Sequence, residues 1–217
     1  VAWKGENELL THATPVACTI HGERQVIFLC KSGLVSVAAA TGKVLWRYPF
    51  KFSISTASTP IAHKDIVYVS AGYNVGTEAA RIAKEGETWT ATKLWRKEHP
   101  FCNHWTTPVV KDGYLYGIYG FKDYAKPGGT GAPLKCVEIA TGNEMWSQPG
   151  VGSGGATILA GSHVLARTDA GVATATGLTV DGFAGAQLAL SGHGAYSATA
   201  RVAGVTSQPL LITVSGA

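Results

Sequence analysis

TPVACTIHGERQVIFLCKSGLVSVAAATGKVLW, residues 14–46, opens on Thr14-Pro15, closes on Trp46, and holds short β-rich runs cut apart by turn residues. With the residues just beyond it, the runs are TPVACTI, QVIFLCK, LVSVAAA and VLWRYPF, separated by HGER, Ser32-Gly33 and Thr41-Gly42-Lys43. That is the spacing of an antiparallel meander. The frame returns from Thr59-Pro60 to Trp95 and from Thr107-Pro108 to Trp146, at a period of about 45 to 51 residues. Such a period belongs to propeller arrays, where one four-stranded blade fills each repeat. The sequence therefore predicts an all-β fold, a partial β-propeller of three to four four-stranded antiparallel blades. Trp46, Trp95 and Trp146 are expected at equivalent places on the fourth strands, with the Thr-Pro phrases on the first.

The third repeat reads TTPVVK, YLYGIYGF, LKCVEIA and EMWSQPG, with turns at Asp112-Gly113 and Thr141-Gly142-Asn143. The second reads STPIAH, IVYVSAGY, AARIAK and TWTATKLWRK, but its last turn moves upstream to Glu85-Gly86, so its outer hairpin is expected to be longer. AARIAKEGE has helical propensity, which the repeat register overrides. GATILAGSHVLARTDAG reads as the first hairpin of a fourth blade. From Val172 onward Asp181 and Arg201 are the only charged residues, and no further Thr-Gly-x-x-x-Trp phrase follows. The chain divides on this basis into blades over 1–173 and a segment over 174–217, either the remainder of a divergent fourth blade or a small β module.

Of 217 residues, 46% are hydrophobic and 15% charged, and the formal net charge of +4 is dispersed without a Lys/Arg block. Neither a nucleic-acid groove nor a membrane span is expected, since no apolar run approaches the ~18 residues a membrane helix needs. The sequence begins at Val1, and its single methionine is Met145, which reads as an internal piece of a longer protein. Cys18, Cys30, Cys102 and Cys136 have no CxxC spacing, and both a Cys18–Cys30 bridge and four buried thiols stay open.

SVAAATGKVLW, residues 36–46, and CVEIATGNEMW, residues 136–146, resemble the A-x-D-x-x-T-G-K-x-x-W signature of pyrroloquinoline-quinone-type (PQQ-like) propeller repeats. Thr, Gly and Trp match in both; the aspartate position is Ala38 in one and Glu138 in the other, and Lys43 is answered by Asn143. Trp3 would close a preceding blade. The resemblance, to bacterial PQQ-binding-like repeat proteins, covers residues 1 to about 173. It implies a periplasmic or extracellular location and a non-catalytic propeller that offers loops and a central channel to a protein or carbohydrate ligand. The alternative it implies is a piece of a PQQ-dependent alcohol dehydrogenase, in which quinone and calcium sit at the centre of the ring beside an aspartate base. The placeable acids, Glu23, Asp65, Glu85, Asp112, Glu138 and Glu144, fall in turns or in the blade-closing motif, so no cofactor and no catalytic residue is expected.

His99, Cys102 and His104 are the densest metal-capable set, but zinc needs three or four converging donors, and strand alternation would set His99 opposite Cys102 and His104. Gly150–Gly155 fits G-x-G-x-x-G yet precedes a strand, not the helix whose N-terminus would receive a pyrophosphate. It reads as a crossover between blades. FKDYAKPGGTGAP, residues 121–133, follows a strand rich in tyrosine and is a candidate binding loop. The candidate ligand or channel contacts are Tyr73, Asn103, His104, Tyr119 and Tyr124. The structural repeat positions are Trp46, Trp95, Trp146, Gly42 and Gly142.

Overall fold

A computed structural model describes residues 1–120 apart from 6 and 55, residues 132–147, and beyond these the backbone of the strands alone. Three meanders come first. β1 (Val16–Ile20), β2 (Glu23–Cys30), β3 (Gly33–Ala38) and β4 (Val44–Pro49) form one sheet in chain order. β5 (Ile61–His63), β6 (Ile66–Ala71), β7 (Gly76–Glu85) and β8 (Thr88–Lys97) form the second. The third is built of β9 (Val109–Lys111), β10 (Tyr114–Ile118), β11 (Ala132–Glu138) and β12 (Glu144–Gly152). A fourth sheet follows, of β13 (Thr157–Ala160), β14 (His163–Arg167), β15 (Ala173–Thr179) and β16 (Gly182–Ala186). It runs past residue 173. After it β17 (Gly194–Ala198) pairs with β20 (Leu210–Val214), and β18 (Arg201–Val202) with β19 (Val205–Thr206). First strands neighbour first strands (β1 to β5, β5 to β9, β9 to β13), and fourth strands neighbour fourth strands (β4 to β8, β12 to β16). Sheets set side by side in this way are propeller blades, and the protein is a partial β-propeller.

Each blade divides its two faces by strand alternation. On β2, Ile27 and Leu29 join Val67, Val69, Ala80 and Ile82 of blade 2 in one core, while Val26, Phe28 and Cys30 point the other way, toward Trp3. In blade 2, Val67 and Val69 face blade 1, whereas Ile66, Tyr68 and Ala79 face Leu115, Val137 and Ile139 of blade 3. A blade has no core of its own. Its stability comes from what its neighbours cover, about 1.5–3 kcal/mol for each large side chain fully buried.

The three tryptophans are equivalent in register. Trp46 opposes Ser36, Trp95 opposes Ala79 and Trp146 opposes Cys136, and in every case a bulge follows at once, so that Leu45, Leu94 and Met145 are the extra residues. The bulge re-aims the chain and lets two successive side chains, Leu94 and Trp95 for example, reach the same core. The Thr-Pro pairs stand just before the first strands and not on them, since Pro has no N–H to give a ladder.

What the indoles grip differs. Trp95 of blade 2 donates Nε1–H to the Ile139 carbonyl of blade 3 at 2.9 Å and covers Gly142, while Trp3 donates to the Ala39 carbonyl at 3.0 Å and covers Gly42. Gly42 and Gly142 sit at φ +74 and +73, and a Cβ on either would lie within 2.7 Å of the ring. Only glycine satisfies both the left-handed turn and the close indole. Blade 2 has no Thr-Gly turn. Its hairpin runs on to Gly86, which has nothing within 4 Å, and Trp46 instead donates to Gln25 Oε1 inside its own blade at 2.8 Å, where Ser36 also donates. The departure at the aspartate position leaves the turn intact because backbone bonds carry it: Gly42 N–H to Ala38 O and Gly142 N–H to Glu138 O, at 2.9 and 2.8 Å. The Glu138 carboxylate adds a bond from the Thr141 hydroxyl that Ala38 cannot make.

The cysteines form no disulfide. Cys18 pairs in register with Gln25 and Cys30 with Gly33, and Cys30, Cys102 and Cys136 are buried.

Candidate functional site

A meander places its β2–β3-type turns and its blade-to-blade loops at one end of the sheets, and its β1–β2-type and β3–β4-type turns at the other. At the first end, the loops leading into blades 1, 2 and 3 lie side by side. His12 N–H bonds to the Thr56 carbonyl at 3.2 Å and, one repeat on, Ala57 N–H bonds to the His104 carbonyl at 3.0 Å. Thr59 N–H meets the Thr107 hydroxyl at 2.9 Å. His12 and Ala57 occupy matching places in this lattice, each two residues before its Thr-Pro pair, and Trp105 has the same offset in sequence.

Under the lattice lies a polar layer. Asn103 is fully buried: its backbone N–H donates to Ser70 Oγ and its amide to the Ile118 carbonyl, both at 2.7 Å, and its side-chain oxygen accepts the Tyr68 hydroxyl. One side chain thus ties blade 2 to blade 3. His104, 2% exposed, accepts the Gly72 N–H at Nδ1 (3.2 Å), and its ring stands edge-on to Tyr73 at 5.0 Å and to Trp105 at 4.5 Å. Accepting at Nδ1 fixes the neutral ring with its proton on Nε2. Tyr73 and Asn74 both have positive φ, and Val75 N–H returns to Gly72 O, a type I′ pattern that brings the Tyr73 ring to the histidine. Tyr119 is buried against Phe101 with ring centroids 4.6 Å apart, and burial pushes its hydroxyl, like that of Tyr68 beside it, well above the ordinary tyrosine range.

Of the residues expected from sequence to make ligand or channel contacts, Asn103, His104 and Tyr119 are thus buried, Tyr73 is half-buried, and Tyr124 lies outside the described residues. So do most of residues 121–133, although that segment leaves β10 and enters β11 at this same end. Four side chains that sequence reading passed over stand out: Leu9 (75% exposed), Leu10 (72%), Ile54 (47%) and Trp105 (58%). They fall on the loops into blades 1, 2 and 3, and Leu10 also lines the face of blade 1 that holds Trp3, Phe28 and Cys30. Their signal was present in the sequence as large apolar residues on loops that the repeat frame puts together.

Strand alternation does not hold across the cis His99-Pro100 bond: His99 Nδ1 lies 3.8 Å from Cys102 Sγ, while His104 turns to Tyr73. Among the described residues no three His, Cys, Asp or Glu side chains converge.

The quinone and calcium chemistry of the PQQ-like enzymes requires carboxylates at the axis, where the first strands run. VACTI, IAH, VVK and TILA, the first strands of the four blades, include no Asp or Glu. Several of the described acids are held by neighbouring side chains. Glu8 bonds to Arg47 and Ser32, Glu144 to Lys135, and Asp65 lies 3.6 Å from Arg81. Glu78 on β7 is buried and accepts both Arg96 and the Tyr48 hydroxyl, which burial and that carboxylate together push far above its usual range. These are clamps between the strands and blades they join.

Residues 1–120 match the sequence family described as outer membrane protein assembly factor BamB. No curated protein matches the chain. Among solved structures, BamB from Moraxella catarrhalis is similar at 13% identity and a TM-score of 0.57, over 86% of this chain and 53% of that one. Quinohemoprotein alcohol dehydrogenase from Comamonas testosteroni is similar at 16% identity and a TM-score of 0.52, over 76% of this chain and 34% of that one. The chain therefore spans about half of the first and a third of the second, and at such identities the likeness is one of fold. Among the described residues no helix is long and apolar enough to cross a membrane.

Proposed function

We infer the role of this chain from the family it belongs to: it is a member of the outer membrane protein assembly factor BamB family, and it acts as a non-catalytic propeller scaffold that docks a protein partner outside the cytoplasm. The observation that carries this reading is the exposure of Leu9, Leu10, Ile54 and Trp105 on three successive loops at one end of the blades. Large apolar side chains exposed on loops that a rigid scaffold positions favour a protein contact, with the aromatic as its natural anchor. A carbohydrate fits these loops less well, because the aliphatic members offer no hydrogen bond to a hydroxyl. The family's description, an outer membrane protein assembly factor, supports a place outside the cytoplasm. We assign the chain no quinone, no calcium and no catalytic residue, on the neutral or basic first strands.

The test is site-specific photo-crosslinking in the full-length protein in its own cell, with the probe replacing Ile54 or Trp105 at the loop end and Lys64 or Asp112 at the opposite end. One protein adduct from the first two sites and none from the others is expected. Adducts from both ends alike, or none from Ile54 and Trp105, would refute the docking face. Alcohol oxidation that depends on added quinone and calcium and is lost on substituting one carboxylate would replace the scaffold with the dehydrogenase.

A further inference from the structure

The outer hairpin of blade 2 is built differently from its neighbours. β7 and β8 are each 10 residues long where β3 and β4 are each 6, and β8 is the last strand of its sheet. A last strand leaves half its backbone groups unpaired and invites another strand, and proteins commonly blunt such an edge with proline or charge. β4 carries Arg47 and ends on Pro49, β12 has Pro149 in its sequence, and β16 is short and carries Gly182 and Gly185. β8 has none of these devices over Thr88-Trp89-Thr90-Ala91-Thr92.

Which groups point outward follows from the ladder. Ile82, opposite Ala91, gives its N–H to the Asp65 carbonyl at 2.7 Å, and its own carbonyl takes His21 Nε2 at 2.8 Å. Both groups of Ile82 face away from β8, so Ile82 and Ala91 are a non-hydrogen-bonded pair, and Ala91 turns its N–H and C=O to the open edge. By alternation Trp89 does the same. Trp89 and Ala91 are meanwhile fixed from behind, packed on the core between blades 1 and 2 with Lys84 Nζ over the indole at 5.1 Å. The edge is therefore rigid.

We propose that two copies of this chain pair antiparallel through β8, about a two-fold axis at Thr90. In that register each outward-facing Trp89 opposes an outward-facing Ala91, which makes hydrogen-bonded pairs on both sides of the axis and sets the largest side chain against a small one. Thr88 opposes Thr92 and Thr90 opposes Thr90, a favourable cross-strand pairing. Glu87 opposes Lys93, once at each end, and both are exposed in the single chain. A shift of one residue to either side loses these matches, and the symmetry makes the interface closed, so the assembly stops at two. A strand pair of this length buries less than the roughly 1,200 Å² of a standard interface, so the dimer is weak and concentration-dependent.

Sedimentation equilibrium of the chain over a concentration series tests it. A monomer–dimer equilibrium is expected. Ala91→Pro removes an outward N–H without touching the β7 ladder and abolishes the dimer, with the circular dichroism of the monomer unchanged. Glu87→Lys and Lys93→Glu, each alone, set like charges opposite one another and raise the dissociation constant roughly tenfold. The double exchange restores it, and mixing the two single variants gives a heterodimer. A monomer at every concentration, or self-association that none of these substitutions alters, overturns the proposal. Neither result bears on the loop-end crosslinks, which read a different surface.

Discussion

Gly142→Ala is the substitution that weighs the grip between blades, because it adds one methyl at a turn that is both left-handed and covered by an indole. Leaving φ +73 unchanged costs an alanine about 1–2 kcal/mol. The new Cβ would lie 2.7 Å from Cδ2 and 2.9 Å from Cε3 of Trp95, against a carbon–carbon optimum of about 3.5–4.0 Å. The ring must therefore retreat, although Nε1 is tied to the Ile139 carbonyl at 2.9 Å and Tyr68 lies behind it at 6.2 Å between centroids. Overpacking of this kind costs about 1–3 kcal/mol, for a total of about 2–5 kcal/mol.

Gly86→Ala supplies the control, since Gly86 has φ +60 and no neighbour within 4 Å, and should lose only the conformational part, about 1–2 kcal/mol. Urea unfolding followed by far-UV circular dichroism, with the slope checked for constancy, gives both values. In a Trp95→Ala background the clash is gone, so Gly142→Ala should then cost no more than Gly86→Ala, leaving a coupling of about 1–3 kcal/mol. Equal losses at Gly142 and Gly86 in the wild-type background, or additivity with Trp95→Ala, would refute the account of the tryptophan as an inter-blade clasp.

Asn103→Ala should destabilise by about 2–3 kcal/mol in the same assay, because it strands the buried Tyr68 hydroxyl and the Ile118 carbonyl. Trp105→Ser should change stability by no more than about 0.5 kcal/mol, the ring being 58% exposed, while removing the loop-end crosslinks from a probe at Ile54. Burial pushes the Cys136 thiol up from 9.0 to about 11, so the unfolded chain ionises first. The stabilisation is complete below pH 9.0 and is lost as pH rises through about 11; Cys136→Ala should flatten that part of the pH–stability curve.

The blade frame was legible because it is written in local chemistry: turn residues at fixed offsets, alternating apolar strands, and a tryptophan one bulge after the Thr-Gly turn. The longer hairpin of blade 2 was legible for the same reason, from the displaced Glu85-Gly86. The roles of Asn103 and His104 were not, since a polar residue on a loop looks alike whether it lines a channel or sits buried between two sheets. The nearest acceptors and donors, Tyr68, Ser70, Gly72 and Ile118, are 15 to 35 residues away in sequence. Alternation, which would set His99 and Cys102 on opposite faces, assumes an extended strand, and residues 98–105 form turns and bends instead. Trp105 does not stand out in sequence beside the repeat-closing Trp3, Trp46, Trp95 and Trp146, and its offset from Thr107-Pro108 puts it on the loop into blade 3 and not on a fourth strand.

Blade 2 joins the fold to what the protein can bind. Had it kept a Thr-Gly turn, the turn would have received Trp46 as Gly142 receives Trp95, and its outer strands would have stopped near the length of β3 and β4. The longer hairpin gives up that clasp. Blade 1 compensates internally, by turning Trp46 to Gln25, and the interface is made good by His21 on the Ile82 carbonyl and by Trp89 and Ala91 on the shared core. Those same contacts hold the extra strand length rigid while its far edge stays open. The loss of one repeat motif thus creates an ordered strand edge, uncharged from Thr88 to Thr92, away from the apolar loop residues at the other end of the sheets. Because β8 and the blade-entry loops are different parts of the molecule, a substitution in one of the two proposed surfaces leaves the other intact, and each proposal can fail without the other.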